Sequence, residues 1–144
     1  MTGLLVVTHG NLAGALVKAA RRIVGDVESM KAISIDWDDP VDRARALVEQ
    51  GVHDLDSGDG VLILTDMFGG TPSNIALSLL EPGRVEIVTG VNLAMLIKFS
   101  NLRESLSPGD LAVRIASQGK RSIQVASEIL ESRAEGGDDP GHEE

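Results

Sequence analysis

The chain has 144 residues, 42% of them apolar, which is one domain's worth of sequence with enough apolar side chains for a core. Its net charge of −9, with two Phe, one Trp and no Tyr, argues against a nucleic-acid binder, which needs a cationic surface and stacking rings. Absence of cysteine excludes disulfide and thiolate chemistry, no apolar run approaches the ~20 residues of a membrane span, and the opening Met1-Thr2-Gly3-Leu4-Leu5-Val6-Val7 lacks the basic region of a secretory signal, so a cytoplasmic protein is expected.

Leu4–Thr8 is a short apolar run that suits a parallel strand buried on both faces. After the turn His9-Gly10-Asn11, the residues Leu12, Leu16, Ala19, Ala20 and Ile23 recur at helical spacing up to Gly25. Met30–Ile35 reads as a second strand. Asp39-Pro40 then starts a helix, with Asp39 as cap and Val41, Ala44, Leu47 and Val48 as its apolar face. Val61–Thr65 is a third strand, Asp66–Gly70 a loop, and Thr71-Pro72 the start of a helix reaching Leu80. Pro82-Gly83 is a turn before a fourth strand, Val85–Thr89. Asn92–Phe99 is a short helix capped by Asn92, and Ser107-Pro108 starts another that ends near Gly119. In Ser122–Ile129 the positions of Ile123, Val125 and Ile129 suggest a fifth strand.

Alternating strands and helices imply a doubly wound α/β domain, with a mostly parallel sheet covered on both faces. The late fifth strand is expected to pair antiparallel at a sheet edge, within the chain or on a second chain. Glu131–Glu144 holds six acidic residues and one basic one, with almost nothing apolar. Residues 1–130 therefore read as the folded domain and residues 131–144 as an acidic disordered tail.

In such sheets ligands bind beyond the carboxyl ends of the strands. His9 sits at such an end, beside Gly10 and just before a helix, where an imidazole can be a nucleophile toward phosphorus, a general base or a metal ligand. Taken alone, it is more often a polar residue filling a turn. Asp66 occupies the corresponding place after the third strand, and the first and third strands of a doubly wound sheet are commonly neighbours. A carboxylate there would fix the ring's tautomer and free its other nitrogen, although Asp also caps loops routinely. Gly69-Gly70-Thr71-Pro72-Ser73 makes a small nest of backbone N–H groups that suits a phosphoryl oxygen. Neither the P-loop nor the dinucleotide glycine pattern is matched. His53 and His142 are scattered, and no zinc signature is formed. Asp36, Asp38 and Asp39 around Trp37 read as loop charges. Thr89-Gly90-Val91-Asn92 is a further candidate for the cleft, and Met67, Phe68 and Met95 are either an apolar rim or core.

Three stretches together give the chain a likeness: Leu5-Val6-Val7-Thr8-His9-Gly10, Thr65-Asp66-Met67-Phe68-Gly69-Gly70-Thr71-Pro72-Ser73-Asn74, and Thr89-Gly90-Val91-Asn92-Leu93-Ala94-Met95-Leu96. From Leu4 to Leu130 it resembles the mannose-type enzyme IIA of the bacterial sugar phosphotransferase system. The resemblance implies a phosphotransferase component working through a phosphohistidine. His9 would accept a phosphoryl group from phospho-HPr and pass it to a IIB component, Asp66 would orient the imidazole, and Thr71 would help hold the phosphoryl group. Gly10, Gly69, Gly70 and Ser73 complete the expected phosphoryl-binding set. No cofactor and no metal are implied. The family is similar in forming homodimers that can exchange a C-terminal edge strand, here Ser122–Ile129, and in reaching a membrane permease only through partners. With only the acidic stretch after Leu130, the IIB partner is expected on a separate chain. Alternatives are the phosphoryl donor subunit of dihydroxyacetone kinase, and a regulatory module switched by His9 phosphorylation in an incomplete transport system. A metal-dependent hydrolase is poorly supported, because no second His lies near His9.

Overall fold

A computed structural model describes residues 1–102 and 105–136. Four parallel strands, β1 (Gly3–His9), β2 (Met30–Ile35), β3 (Val61–Thr65) and β4 (Val85–Thr89), form one sheet in the order β2-β1-β3-β4. The central pair, β1 and β3, is in register from Gly3 opposite Val61 to Val7 opposite Thr65. The helices are α1 (Leu12–Val24), α2 (Val41–Leu55), α3 (Gly70–Ser78), α4 (Leu93–Asn101), α5 (Pro108–Arg121) and α6 (Ala126–Gly136).

Side chains alternate across a strand, and the core divides accordingly. Leu4, Val6, Leu62 and Leu64 face α1, α4 and α5, where they meet Ala13, Val17, Leu96, Phe99 and Ile115. Leu5, Val7, Val61 and Ile63 face α2 and α3, where they meet Ala44, Val48, Val52, Ile75 and Ala76. Both faces of β1 and β3 are thus sealed, which is why these strands read as unbroken apolar runs. The helices begin where hydrogen bonding supports them. Asn92 accepts a bond from the Met95 N–H at the start of α4, and Ser107 accepts one from the Asp110 N–H at the start of α5.

Three expectations are corrected. Ser122–Ile129 is not an edge strand: its second half lies in α6, and among the described residues the sheet has four strands, all parallel. Ala126, Glu128, Leu130, Glu131, Arg133, Ala134 and Glu135 have good helix propensity, and the segment follows it. Ile123, Val125 and Leu130 are left 78%, 59% and 65% exposed. The acidic stretch expected to be disordered from Glu131 is helical as far as Gly136, while residues 137–144 lie outside the described residues. Asp39 does not cap α2. Pro40 holds the cap position, and the Asp39 carboxylate accepts a bond from the Asp36 N–H at 3.0 Å.

Leu62 lies in a central strand with no exposure. Leu62→Ala is expected to lower the unfolding free energy by about 2–5 kcal/mol, read from urea denaturation with an unchanged slope.

Candidate functional site

The site lies at the carboxyl ends of β1 and β3. Because these strands are neighbours, the residue after β3 stands beside the last residue of β1. The Asp66 carboxylate accepts two bonds from His9 on one oxygen: from the backbone N–H at 3.0 Å and from Nδ1 at 2.8 Å. Its other oxygen accepts from the Met67 N–H at 3.1 Å. The two side chains are only 18% and 15% exposed.

Burial acts to raise the Asp66 pKa, but the bonds from the His9 ring and backbone, together with the ring's charge, outweigh it and hold the carboxyl below its usual range. Asp66 is therefore a carboxylate at neutral pH and can only accept. In the neutral ring Nδ1 then carries the proton and Nε2 presents its lone pair.

Nε2 faces the start of α3. A Cβ built on Gly70 would stand 2.9 Å from His9 Nε2 and 3.0 Å from Cε1, and φ at Gly70 is +82°. Only glycine gives both this left-handed turn and this close approach. Gly69, at φ +94°, precedes it as the cap residue. The first-turn N–H groups of Gly70 and Thr71 have no partner within the helix, and the positive end of its dipole lies there, which favours an anion beside Nε2. Pro72 contributes no N–H, and its ring suits the first turn.

Not every expected residue is arranged for the same task. Gly10 turns the chain at φ +53°, but its N–H is spent on the Ile35 carbonyl at 2.8 Å, so it is no free donor for a phosphoryl oxygen. Ser73 is fully buried, and its hydroxyl has no partner among the described residues, so it is closed to an incoming group as the site stands. Thr71 is half-buried in the first turn of α3. Gly90 and Val91 both donate to the Thr65 carbonyl at 2.9 Å, which anchors the turn after β4. Asn92 reaches the Gly119 carbonyl in α5 as well as capping α4. Met67 and Phe68 are exposed beside Asp66, whereas Met95 is core. His53 is exposed on α2.

Two residues at these strand ends take roles that the sequence did not assign. Thr8 Oγ1 accepts from the Ala13 N–H at 2.6 Å, so the strand residue before His9 caps the helix after it. The Trp37 ring stacks on the His9 ring, with centroids 4.8 Å apart and planes 23° from parallel. Trp37 lies in the loop after β2, which parallel pairing with β1 brings to His9. A lone aromatic in an acidic loop at a strand's carboxyl end is the only signal that could have pointed to it.

The family model for EIIA-man, described as the PTS system fructose IIA component, matches residues 3–116. A fructose-specific EIIA component of the phosphotransferase system from Bacillus subtilis is 32% identical over 132 residues, covering 91% of this chain and 90% of its own length. The mannose-specific EIIAB component of Escherichia coli K12 is 30% identical, and the match covers 85% of this chain and 39% of that longer protein. Among solved structures, the IIA protein associated with the fucose utilization operon of Streptococcus pneumoniae superposes with a TM-score of 0.79 at 28% identity, covering 90% of this chain and 96% of that one. An EIIA component from Streptococcus agalactiae has the same fold, with a TM-score of 0.80 at 23% identity, covering 89% of this chain and 99% of that one.

The lowered Asp66 pKa has a consequence for stability. A folded-state value below the unfolded value of about 3.9 stabilises the fold fully above that pH and ceases to do so as pH falls through the folded value. Thermal melts of wild type and Asp66→Asn are expected to differ most above about pH 4 and to converge below it.

Proposed function

The chain belongs to the mannose-type IIA family of the sugar phosphotransferase system, and from that premise we propose that it is a phosphohistidine carrier, accepting a phosphoryl group from phospho-HPr on His9 and passing it to a IIB component. The observation that carries this reading is the division of labour on one ring: Nδ1 bonded to Asp66 at 2.8 Å, and Nε2 free beside the glycine-lined start of α3.

In the proposed step the Nε2 lone pair attacks phosphorus in line. The N–P bond forms while the bond from phosphorus to the donor breaks, its electron pair leaving with the donor. Nδ1 keeps its proton throughout, and Asp66 stabilises the positive charge that develops on the ring. The transition state is loose, so positioning and anion stabilisation do most of the work. The N–H groups at the start of α3 and the Thr71 hydroxyl supply that stabilisation for the equatorial oxygens. The bound phosphate brings roughly two negative charges close to Asp66, and their repulsion keeps the group transferable to the next acceptor.

The carrier domain is proposed to span residues 1–130 and to work in the cytoplasm, meeting a membrane permease only through partners. Among the described residues no helix is long and apolar enough to cross a membrane, which accords with that location. A homodimer is proposed as the working form. The exposed Ile123, Val125 and Leu130 support it, and light scattering at micromolar concentration is expected to give twice the chain mass.

With enzyme I, HPr and phosphoenolpyruvate, intact-mass spectrometry is expected to show a gain of ~80 Da on the wild type and none on His9→Ala. Retention of the gain in His9→Ala would refute the assignment. Asp66→Asn is expected to slow uptake roughly a hundredfold through the wrong tautomer. Gly70→Ala is expected to block Nε2 and prevent uptake while the circular dichroism spectrum stays that of the wild type. Onward movement of the label to a cognate IIB protein separates a carrier from a regulatory switch.

A further inference from the structure

Trp37 is the only tryptophan of the chain and is 79% exposed, yet one face of its indole is spent on the His9 ring. Its position is built rather than incidental. The Gly10 N–H bonds to the Ile35 carbonyl at 2.8 Å and ties the end of β2 to the turn that follows His9. Beyond Ile35 the chain closes on itself, with the Asp36 N–H donating to the Asp39 carboxylate at 3.0 Å and the Asp39 N–H donating to the Asp36 carbonyl at 3.1 Å. Pro40 then fixes the entry to α2. This braced turn presents the indole beside Gly10, whose Cβ position lies 4.0 Å from Trp37 Nε1, at van der Waals distance.

The stack supplies what the Asp66 bond lacks. A single bond at Nδ1 fixes one point of the imidazole but allows the ring to rock about it, which would swing Nε2 away from the start of α3. An indole at 4.8 Å and 23° opposes that motion from one face. When Nε2 carries phosphorus and Nδ1 keeps its proton, the ring is cationic, and the aromatic face stabilises that charge. Hydrolysis, in which a water oxygen bonds phosphorus while the N–P electron pair returns to Nε2, discharges that cation, so stabilising it slows the loss.

Building on the phosphocarrier reading, we propose that Trp37 is a positioning residue for phosphoryl transfer, its indole holding the His9 ring with Nε2 toward the start of α3 and stabilising the cationic phosphoimidazole.

The test separates this from a docking role by using a donor without a protein surface. Phosphoramidate supplies phosphorus on an N–P bond, and attack by His9 releases ammonia. Wild type, Trp37→Ala and Trp37→Phe are compared for the rate of uptake from phosphoramidate and for the half-life of the phosphohistidine after the donor is removed. Trp37→Ala is expected to slow uptake and shorten the half-life by about three- to tenfold, with Trp37→Phe restoring both to within about twofold. Wild-type tryptophan emission is expected to shift on phosphorylation. Wild-type values for Trp37→Ala in both measurements, with only the KM for phospho-HPr raised, would make Trp37 a docking contact and overturn the proposal, as would emission that does not change. A wild type that takes phosphate from neither donor would instead overturn the carrier reading, and this inference with it.

Discussion

Everything at this site depends on one hydrogen bond, from His9 Nδ1 to Asp66 Oδ2 at 2.8 Å. An imidazole has two nitrogens of similar basicity, and left in water it presents either one. A carboxylate that can only accept removes the ambiguity, because the bond exists only when Nδ1 carries the proton. The free lone pair is then assigned to Nε2 without any further group having to choose between tautomers. The same carboxylate also accepts the His9 backbone N–H, so side chain and main chain are held by one oxygen and the ring cannot move far from its strand.

That bond is a product of sheet order. His9 and Asp66 are distant in sequence, and only the adjacency of β1 and β3 brings them together. The sheet edges could vary without changing this pair. The central strands could not, since they are buried on both faces and a slip of register would turn core side chains to the wrong layer. The helices that follow complete the setting. The start of α1 is tied to the strand end by Thr8, and the start of α3 approaches Nε2 closely enough to require glycine at residue 70. A rigid core thus ends in a few loop residues whose spacing it dictates.

Much of this was legible from residue order. Met30–Ile35, Val61–Thr65 and Val85–Thr89 stand where their apolar and β-branched runs place them, because the signal for a short strand is local. Asn92 and Ser107 cap the helices they precede, since capping involves only neighbours within a turn. The failures share a cause. Ile123, Val125 and Ile129 suggested a strand, but a strand requires a partner edge, and in this chain the segment follows helix propensity instead. Asp39 looked like a cap by composition, yet its carboxylate serves the Asp36 N–H in the preceding turn. Gly10 was expected in the phosphoryl-binding set, but its N–H is taken by Ile35, a residue on the neighbouring strand.

The sequence by itself determined the four strands and the first five helices and singled out His9 and Asp66 as a pair, because each rests on local periodicity or on a short motif. Tertiary structure alone decided which N–H groups are free at the site, that Ser73 is closed off, and that Trp37 lies on the His9 ring. The physical reason is that a hydrogen bond or a ring stack is a relation between two places. The second place here belongs to another strand or another loop, and sheet order fixes it where spacing along the chain does not.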